Sequence, residues 1–352
     1  MILASSLMFI QCTSDPIPGI AGADGINGEN GADGTDGTNG VDGEVTCIEC
    51  HTTMNKEHAE SSYLLSVHAK ETLHTDRGTG DEITTSVYTN RGGCVECHTS
   101  QGYIDQVNGV PLATGAGYPD NLAYPGNQVI TCTTCHDTHT SFDFANDGND
   151  FALRQALFPV TLAADPAYVM DMGSSNTCVN CHQPRGLPPT VGDADGNVKL
   201  SSRFGPHHGP QSTLLEGIQG ALYAGSTPYP APKSATHRTG SSCTACHMGE
   251  SADENEGLHT WYPAEDSCLT CHTSGAPADV SGFAADMETL KTLLVAKGAF
   301  DADKDAFTSN LVPLKVAQAA WNFALLREDR SSGIHNPGYA KALLKNSIEA
   351  AQ

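Results

Sequence analysis

The chain has 352 residues, with 41 Asp and Glu against 18 Lys and Arg, which gives a formal net charge of -23. This acidity argues against nucleic acid as a partner, because binding to phosphates requires clustered Lys and Arg. Aromatic residues are only 6% of the chain and apolar residues 39%, which is lean for a protein core of this size. We therefore expect something other than side chains to fill part of the interior.

Residues 1–18 are interpreted as a signal-like N-terminus. The stretch from Met1 to Gln11 is short and apolar and ends at Cys12, as in a signal peptide that precedes a lipidated cysteine. Ile10 and Gln11 depart from the small residues usual before such a cysteine, so an ordinary signal peptide with a misassigned start is the alternative. Both interpretations predict an extracytoplasmic protein, and the first adds a membrane tether through a lipid on Cys12.

Residues 19–45 are interpreted as a collagen-like spacer. From Gly19 to Gly43, glycine recurs at every third position, while the positions between carry mostly Asp, Asn, Thr and Ala. A collagen triple helix has this period, because only glycine fits at its axis. Three copies would bring acidic side chains together without counter-charges. An extended spacer of up to about 80 Å is therefore favoured over a triple helix.

Residues 46–280 contain six copies of the motif Cys-x-x-Cys-His, which use twelve of the thirteen cysteines. Two thiols at this spacing can attach to one edge of a haem, and the histidine that follows can bind the iron. The predicted attachment cysteines are Cys47, Cys50, Cys94, Cys97, Cys132, Cys135, Cys178, Cys181, Cys243, Cys246, Cys268 and Cys271. The predicted proximal ligands are His51, His98, His136, His182, His247 and His272.

Two other sites use the same cysteine spacing. Paired CxxC motifs can bind zinc, but zinc ribbons do not require a histidine after every pair. A CxxC can also be a redox dithiol, but such motifs usually occur singly. Six repeats in an exported chain therefore favour six haem c groups, with their iron, as cofactors.

Nine histidines lie outside the motifs, and six of them would suffice to bind every iron on its second face. A second axial ligand excludes substrate from the iron, whereas an open position admits it. From local sequence, the six predicted distal ligands are His68, His139, His207, His237, His259 and His335. His208 is the alternative to His207, and His74 is the alternative to His68. His58 is the remaining candidate.

Residues 281–352 are predicted to be a C-terminal helical segment that packs on the haem region. Leucines from Leu290 to Leu294 and apolar residues from Leu314 to Leu325 have helical spacing. A last helix is predicted to begin after Asn336 and Pro337, a favourable capping pair. The predicted fold is therefore mainly α with extensive irregular loops, little β-structure and a core packed around haem.

Several blocks resemble bacterial multihaem c-type cytochromes that move electrons across or beyond the cell envelope. These blocks, which lie within about residues 46–352, are SVHA, CHDTH, CHQPR, FGPHHGPQ, CTACHM and GIHNPGYAKALL. The resemblance implies closely spaced haems, mainly with two histidine ligands. The C-terminal helices and GIHNP also resemble the end of multihaem nitrite reductases and hydroxylamine oxidoreductases. The chain lacks the Cys-x-x-Cys-Lys motif of the nitrite reductases, which counts against a reductase activity.

These features predict an electron carrier without its own substrate site, located at the cell surface, as an outer-membrane lipoprotein, or outside the cell. Its expected partners are other redox proteins or extracellular electron acceptors, and self-association into filaments is a further expectation. The alternative is an oxidoreductase that acts on a small nitrogen or sulfur oxyanion at one five-coordinate haem.

Overall fold

The computed structural model describes residues 51–69, 74–75, 82–83, 93–110, 130–139, 151–154, 158–277 and 279–352. These residues belong to one of the two compact units of the chain, His51–Gln352. The signal-like N-terminus, the glycine-rich spacer, Cys12, Cys47 and Cys50 lie outside the described residues. Predictions about them therefore stay predictions, as do the domain boundaries.

Short helices and irregular segments make up most of the described residues of the region that contains the motifs. The first helix is the longest of this region, and several of the others coincide with a motif. The helices are α1 (Thr53–Leu65), α2 (Val95–His98), α3 (Ser100–Val107), α4 (Cys132–Cys135), α5 (Asn176–Val179), α6 (Gln211–Glu216), α7 (Thr236–Gly240), α8 (Cys243–His247) and α9 (Glu265–Leu269). Two 3₁₀ turns, Gly173–Ser175 and Leu258–Thr260, complete the set.

Three longer helices follow in the C-terminal part, as the apolar periodicity predicts. They are α10 (Phe283–Ala296), α11 (Leu314–Asp329) and α12 (Pro337–Ala351). Helix α12 begins as expected: the Asn336 side chain accepts a hydrogen bond from the Tyr339 amide at 3.1 Å, and Pro337 occupies the first turn, where no amide hydrogen is needed.

The main hydrophobic core lies between these three helices. Helix α11 is buried along most of its length, and its alanines allow close contact with the neighbouring helices. The Trp321 indole, also buried, donates to the carbonyl of Gln219 at 2.9 Å, which ties the loop after α6 to this core. A second, smaller cluster surrounds Val160, Met170 and Val179, next to the fourth motif.

β-Structure is limited to short antiparallel pairs in the described residues. The strands are β1 (His74–Thr75), β2 (Glu82–Ile83), β3 (Val160–Thr161), β4 (Val169–Met170), β5 (Asn197–Lys199), β6 (Phe300–Asp301), β7 (Ala306–Phe307) and β8 (Leu311–Pro313). They pair as β1–β2, β3–β4, β5–β8 and β6–β7. The β5–β8 pair joins the motif region to the C-terminal helices. The prediction of a mainly helical chain with little β-structure is confirmed.

The end of α6 is held by a buried carboxylate. Glu216 is fully buried and accepts hydrogen bonds from Tyr168 at 2.7 Å and from the Arg238 Nε at 2.5 Å. Lys233 lies 3.6 Å away. A buried charge needs such partners to be tolerated, so this cluster connects the second core to α7, which leads directly into the fifth motif.

Candidate haem sites

Each described motif forms a single helical turn. The amide of the motif histidine donates to the carbonyl of the first cysteine at 2.9–3.0 Å in four of them. The four histidines are His98, His136, His182 and His272. Side chains cap two turns: Ser242 accepts from the Ala245 amide, and Thr131 and Thr134 form a reciprocal capping box. This turn is the local structure that allows two thiols and an imidazole to bind one planar group.

Every motif histidine lies opposite a different histidine from outside the motifs. The ring centroids are 6.1–6.4 Å apart. The pairs are His51 with His139, His98 with His207, His136 with His259, His182 with His68, His247 with His335 and His272 with His237. The structure thus brings together the twelve histidines that the sequence analysis selected, two by two.

This spacing fits one metal ion between each pair of rings. A metal ion lies about 2 Å from an imidazole nitrogen and the ring centroid about 1 Å further, so two imidazoles on opposite faces of one iron have centroids about 6 Å apart. The residues present therefore fit an iron porphyrin held by two histidines.

The second ring nitrogen of several of these histidines has a fixed acceptor. In three cases the acceptor is a backbone carbonyl: that of Phe151 for His136 at 2.7 Å, that of Trp261 for His247 at 2.8 Å and that of Ile334 for His237 at 2.6 Å. Because a carbonyl can only accept, each Nδ1 carries the hydrogen, and Nε2 is left free to bind a metal.

In two further cases the acceptor at the outer nitrogen is a side chain. The Gln211 oxygen lies 3.1 Å from Nδ1 of His182, and the Gln211 amide group donates to the carbonyl of Glu328, which fixes its orientation. The Asp329 carboxylate lies 2.6 Å from Nδ1 of His335. Sequence analysis did not identify any of these acceptors: three are backbone carbonyls, Gln211 lies 29 residues from His182, and the contact of Asp329 depends on the turn after α11.

Burial keeps several of these imidazoles neutral. It lowers the pKa of His68 to about 4, and the nearby His182 adds to the effect. Burial also lowers the pKa of His182, His247 and His259. Only the neutral imidazole can donate its lone pair to a metal, so these rings are in the ligating form at neutral pH.

Cysteines of different motifs lie in direct contact. The Cys178 thiol lies beside that of Cys243, and the Cys181 thiol lies beside that of Cys97. Ser175 reinforces the first contact by accepting from the Thr244 amide at 3.3 Å. The fourth motif therefore lies against both the second and the fifth.

Hydroxyl groups and a shared alanine connect further motifs. Ser100, just after the second motif, accepts from Thr134 of the third at 2.7 Å. Between the fifth and sixth motifs, the buried Ala264 donates its amide to the Cys246 carbonyl at 2.9 Å, and its own carbonyl accepts from the Cys268 thiol at 3.6 Å. Sequence spacing could not indicate which motifs become neighbours.

The structure also separates the alternative histidines. His207 lies opposite His98, whereas Nδ1 of His208 lies 2.7 Å from the Glu328 carboxylate. His58 is exposed on α1, and His74 is described only as backbone in β1. These positions favour His207 over His208.

Trp261 is a residue that sequence analysis missed. It adopts a left-handed backbone conformation with φ 54°, and its ring packs edge-on against His68 at 4.7 Å and His259 at 5.5 Å. With its carbonyl bound to His247, it touches histidines of three pairs. The only available signal was its place two residues after His259, in LHTWYP.

A buried tyrosine next to the motifs has an unused hydroxyl group. Tyr103 is 1% exposed and has no hydrogen-bond partner among the described residues. Burial raises the pKa of Tyr103, and the nearby Cys181, Cys135 and Cys178 add to that effect. Because buried hydroxyl groups are normally satisfied, this position also fits a polar group of a bound cofactor.

Comparison with known proteins gives the same assignment. A family model described as "Outer membrane cytochrome MtrC/MtrF-like, domains II/IV" matches residues 32–191. This match supports an extracytoplasmic multihaem c-type cytochrome with haem c as its cofactor. Two relatives from Geobacter sulfurreducens are the C-type polyheme cytochromes OmcC, 25% identical over 74% of this chain and 43% of the relative, and OmcB, 23% identical over 74% and 44%.

A solved structure, the outer cell wall cytochrome OcwA, aligns with a TM-score of 0.47 at 18% identity, over 84% of this chain and 50% of that one. The chain spans less than half the length of the curated relatives it matches. Among the described residues, no helix combines the length and apolar character that crossing a membrane requires.

Proposed function

We propose that the chain binds six haem c groups and transfers electrons along them, at the cell surface or outside the cell. Each haem is attached to one CxxCH motif and ligated by the two histidines of one pair. The one-to-one pairing of six motif histidines with six others is the observation that carries this proposal. Redox proteins or extracellular acceptors are the partners that such a carrier requires.

The contacts between motifs support a branched route rather than a single row. The fourth motif contacts the second through Cys97 and the fifth through Cys243, and Cys135 of the third lies near Cys178 and Cys181. Because these sulfurs attach the haem edges, the haem of the fourth motif would lie close to three others. Electrons could then enter or leave through more than one neighbour.

Double histidine ligation supports a carrier rather than an enzyme. With two strong ligands per iron, no position is open for a nitrogen or sulfur oxyanion. The oxidoreductase alternative requires that one of the six pairs dissociates. No contact among the described residues favours one pair for that role.

Haem stoichiometry and spin state test the proposal. Holo-protein matured in a host that attaches haem c should give six haems per chain by pyridine haemochrome assay and intact mass. Ferric protein should show low-spin signals only by electron paramagnetic resonance. Fewer than six haems, bound zinc, or a strong high-spin ferric signal would contradict it, and the high-spin signal would favour the enzyme.

We further propose a surface tether formed by Cys12 and residues 19–45. A lipid on Cys12 would anchor the chain, and the glycine-rich stretch would separate the haem region from the membrane. Mass spectrometry of the membrane fraction should show a lipidated N-terminal cysteine that is absent from a Cys12→Ala variant. Unlipidated protein that assembles into filaments would overturn the tether and support filament formation.

A further inference from the structure

The carboxylate of Asp329 lies where a buried negative charge is hard to accommodate. Asp329 is the last residue of α11, and its side chain is fully buried. The C-terminal end of a helix carries partial negative charge, which disfavours an acidic residue there. A buried carboxylate also needs a compensating partner. Its contact at 2.6 Å with the His335 ring supplies one.

Neighbouring groups fix the orientation of this carboxylate. Its second oxygen accepts from both the amide and the hydroxyl of Ser331, and Gln211 donates to the carbonyls of Glu328 and Asp329. Arg330 ends the helix with φ 59°.

At the neighbouring fourth site, a neutral group lies at the outer nitrogen of the motif histidine. There, Nδ1 of His182 lies 3.1 Å from the amide oxygen of Gln211. The two sites are adjacent, because Cys178 contacts Cys243. One outer nitrogen therefore faces a carboxylate at the fifth site and a neutral amide at the fourth, a difference of one full charge. The spacing of the paired rings is nearly the same, 6.2 Å at the fourth site and 6.3 Å at the fifth.

We propose that Asp329 is a positioning residue that makes the haem of Cys243 and Cys246 harder to reduce than the haem of Cys178 and Cys181. This inference rests on the proposed function. A carboxylate that accepts the ligand's N–H makes the imidazole a stronger donor, and its charge stabilises the additional positive charge of ferric iron. With haem bound at both sites, the lower potential at the fifth motif would favour transfer of one electron from that site to the fourth, oxidising one iron as the other is reduced and moving no proton.

The test is a redox titration of holo-protein carrying Asp329→Asn. One of the six one-electron components should move to a higher potential, and the other five should stay in place. Asp329→Glu should move that component back towards its wild-type potential. Glu349→Gln is the matched control: it also removes one acidic group, but from an exposed position where Glu349 accepts from Ser226, and it should move no single component.

Two results would overturn the inference: no component moves in Asp329→Asn, or all six move equally, as a general charge effect would cause. If Asp329→Asn fails to mature, Ser331→Ala decides, because it removes the hydroxyl group that orients the carboxylate. It should shift the same single component upward by a smaller amount, and an unchanged titration would contradict the inference. Haem content separates this inference from the proposed function. Six low-spin haems with no shift in potential would refute the role of Asp329 and leave the proposed function intact, whereas fewer than six haems would refute the proposed function.

Discussion

In the proposed ligation, single side chains decide which histidine faces each motif, and the adjacent residues His207 and His208 are the clearest example. Both rings lie within 4.9 Å of each other, but only His207 lies opposite His98. His208 interacts with Glu328 instead. The difference arises from the backbone, since His207 has φ 67°, which turns consecutive side chains in different directions.

We predict that His207→Ala converts one of the six haems to a high-spin ferric state, because the iron at the second motif loses a ligand. His208→Ala is the matched control and should keep all six low-spin. Electron paramagnetic resonance and the visible absorption of the ferric protein measure both. A high-spin signal in His208→Ala but not in His207→Ala would reverse the assignment.

At the scale of single residues, the sequence alone predicted some features of the candidate sites and not others. It selected the twelve histidines that the structure pairs, because motif spacing and local context are contiguous properties. It could not state which ring lies opposite which, or that Asp329, Gln211 and the carbonyl of Trp261 hold the outer nitrogens. Most of these relations depend on how separate segments fold against one another, which no local pattern encodes, and the Asp329 contact depends on the turn that joins α11 to α12.

At the scale of elements, helices were predictable where apolar periodicity extends over several turns. Helices α10, α11 and α12 follow the spacing of their leucines and alanines, and Asn336 caps α12 as expected. The one-turn helices at the motifs have no such period, because they are too short to be stable alone. Their stability depends on caps such as Ser242 and on the groups they surround.

We predict that Arg238→Met lowers the free energy of unfolding by about 3 kcal/mol, because it leaves the buried Glu216 with an incomplete set of partners. The connection between α6 and α7 is lost with it. Denaturant unfolding of the holo-protein measures the change. Arg203→Met, at an exposed position, is the matched control and should change stability by less than about 0.5 kcal/mol; equal effects would contradict the role of Glu216.

At the scale of the whole molecule, the net charge of -23 should control how fast electrons leave the protein. Haem propionates would make the mature protein still more acidic. An acidic surface attracts cationic partners, and salt screens that attraction.

We predict that electron transfer from the reduced protein to a cationic ruthenium hexaammine complex slows roughly tenfold when ionic strength rises from about 10 mM to about 200 mM. Transfer to anionic ferricyanide should become faster over the same range. Stopped-flow absorption measures both rates. If both probes respond in the same direction, the surface charge does not control the encounter.

The histidine pairs are interleaved along the polypeptide. His51 lies opposite His139 and His98 opposite His207, while His335 in the C-terminal segment lies opposite His247. A break between any two neighbouring motifs from the first to the fifth would separate the two halves of at least one pair. If the proposed ligation is right, these sites cannot be divided into smaller working cytochromes. The haem of the first motif would be held on one face only until His139 is in place, that of the second until His207 is in place, and that of the fifth until His335 is in place.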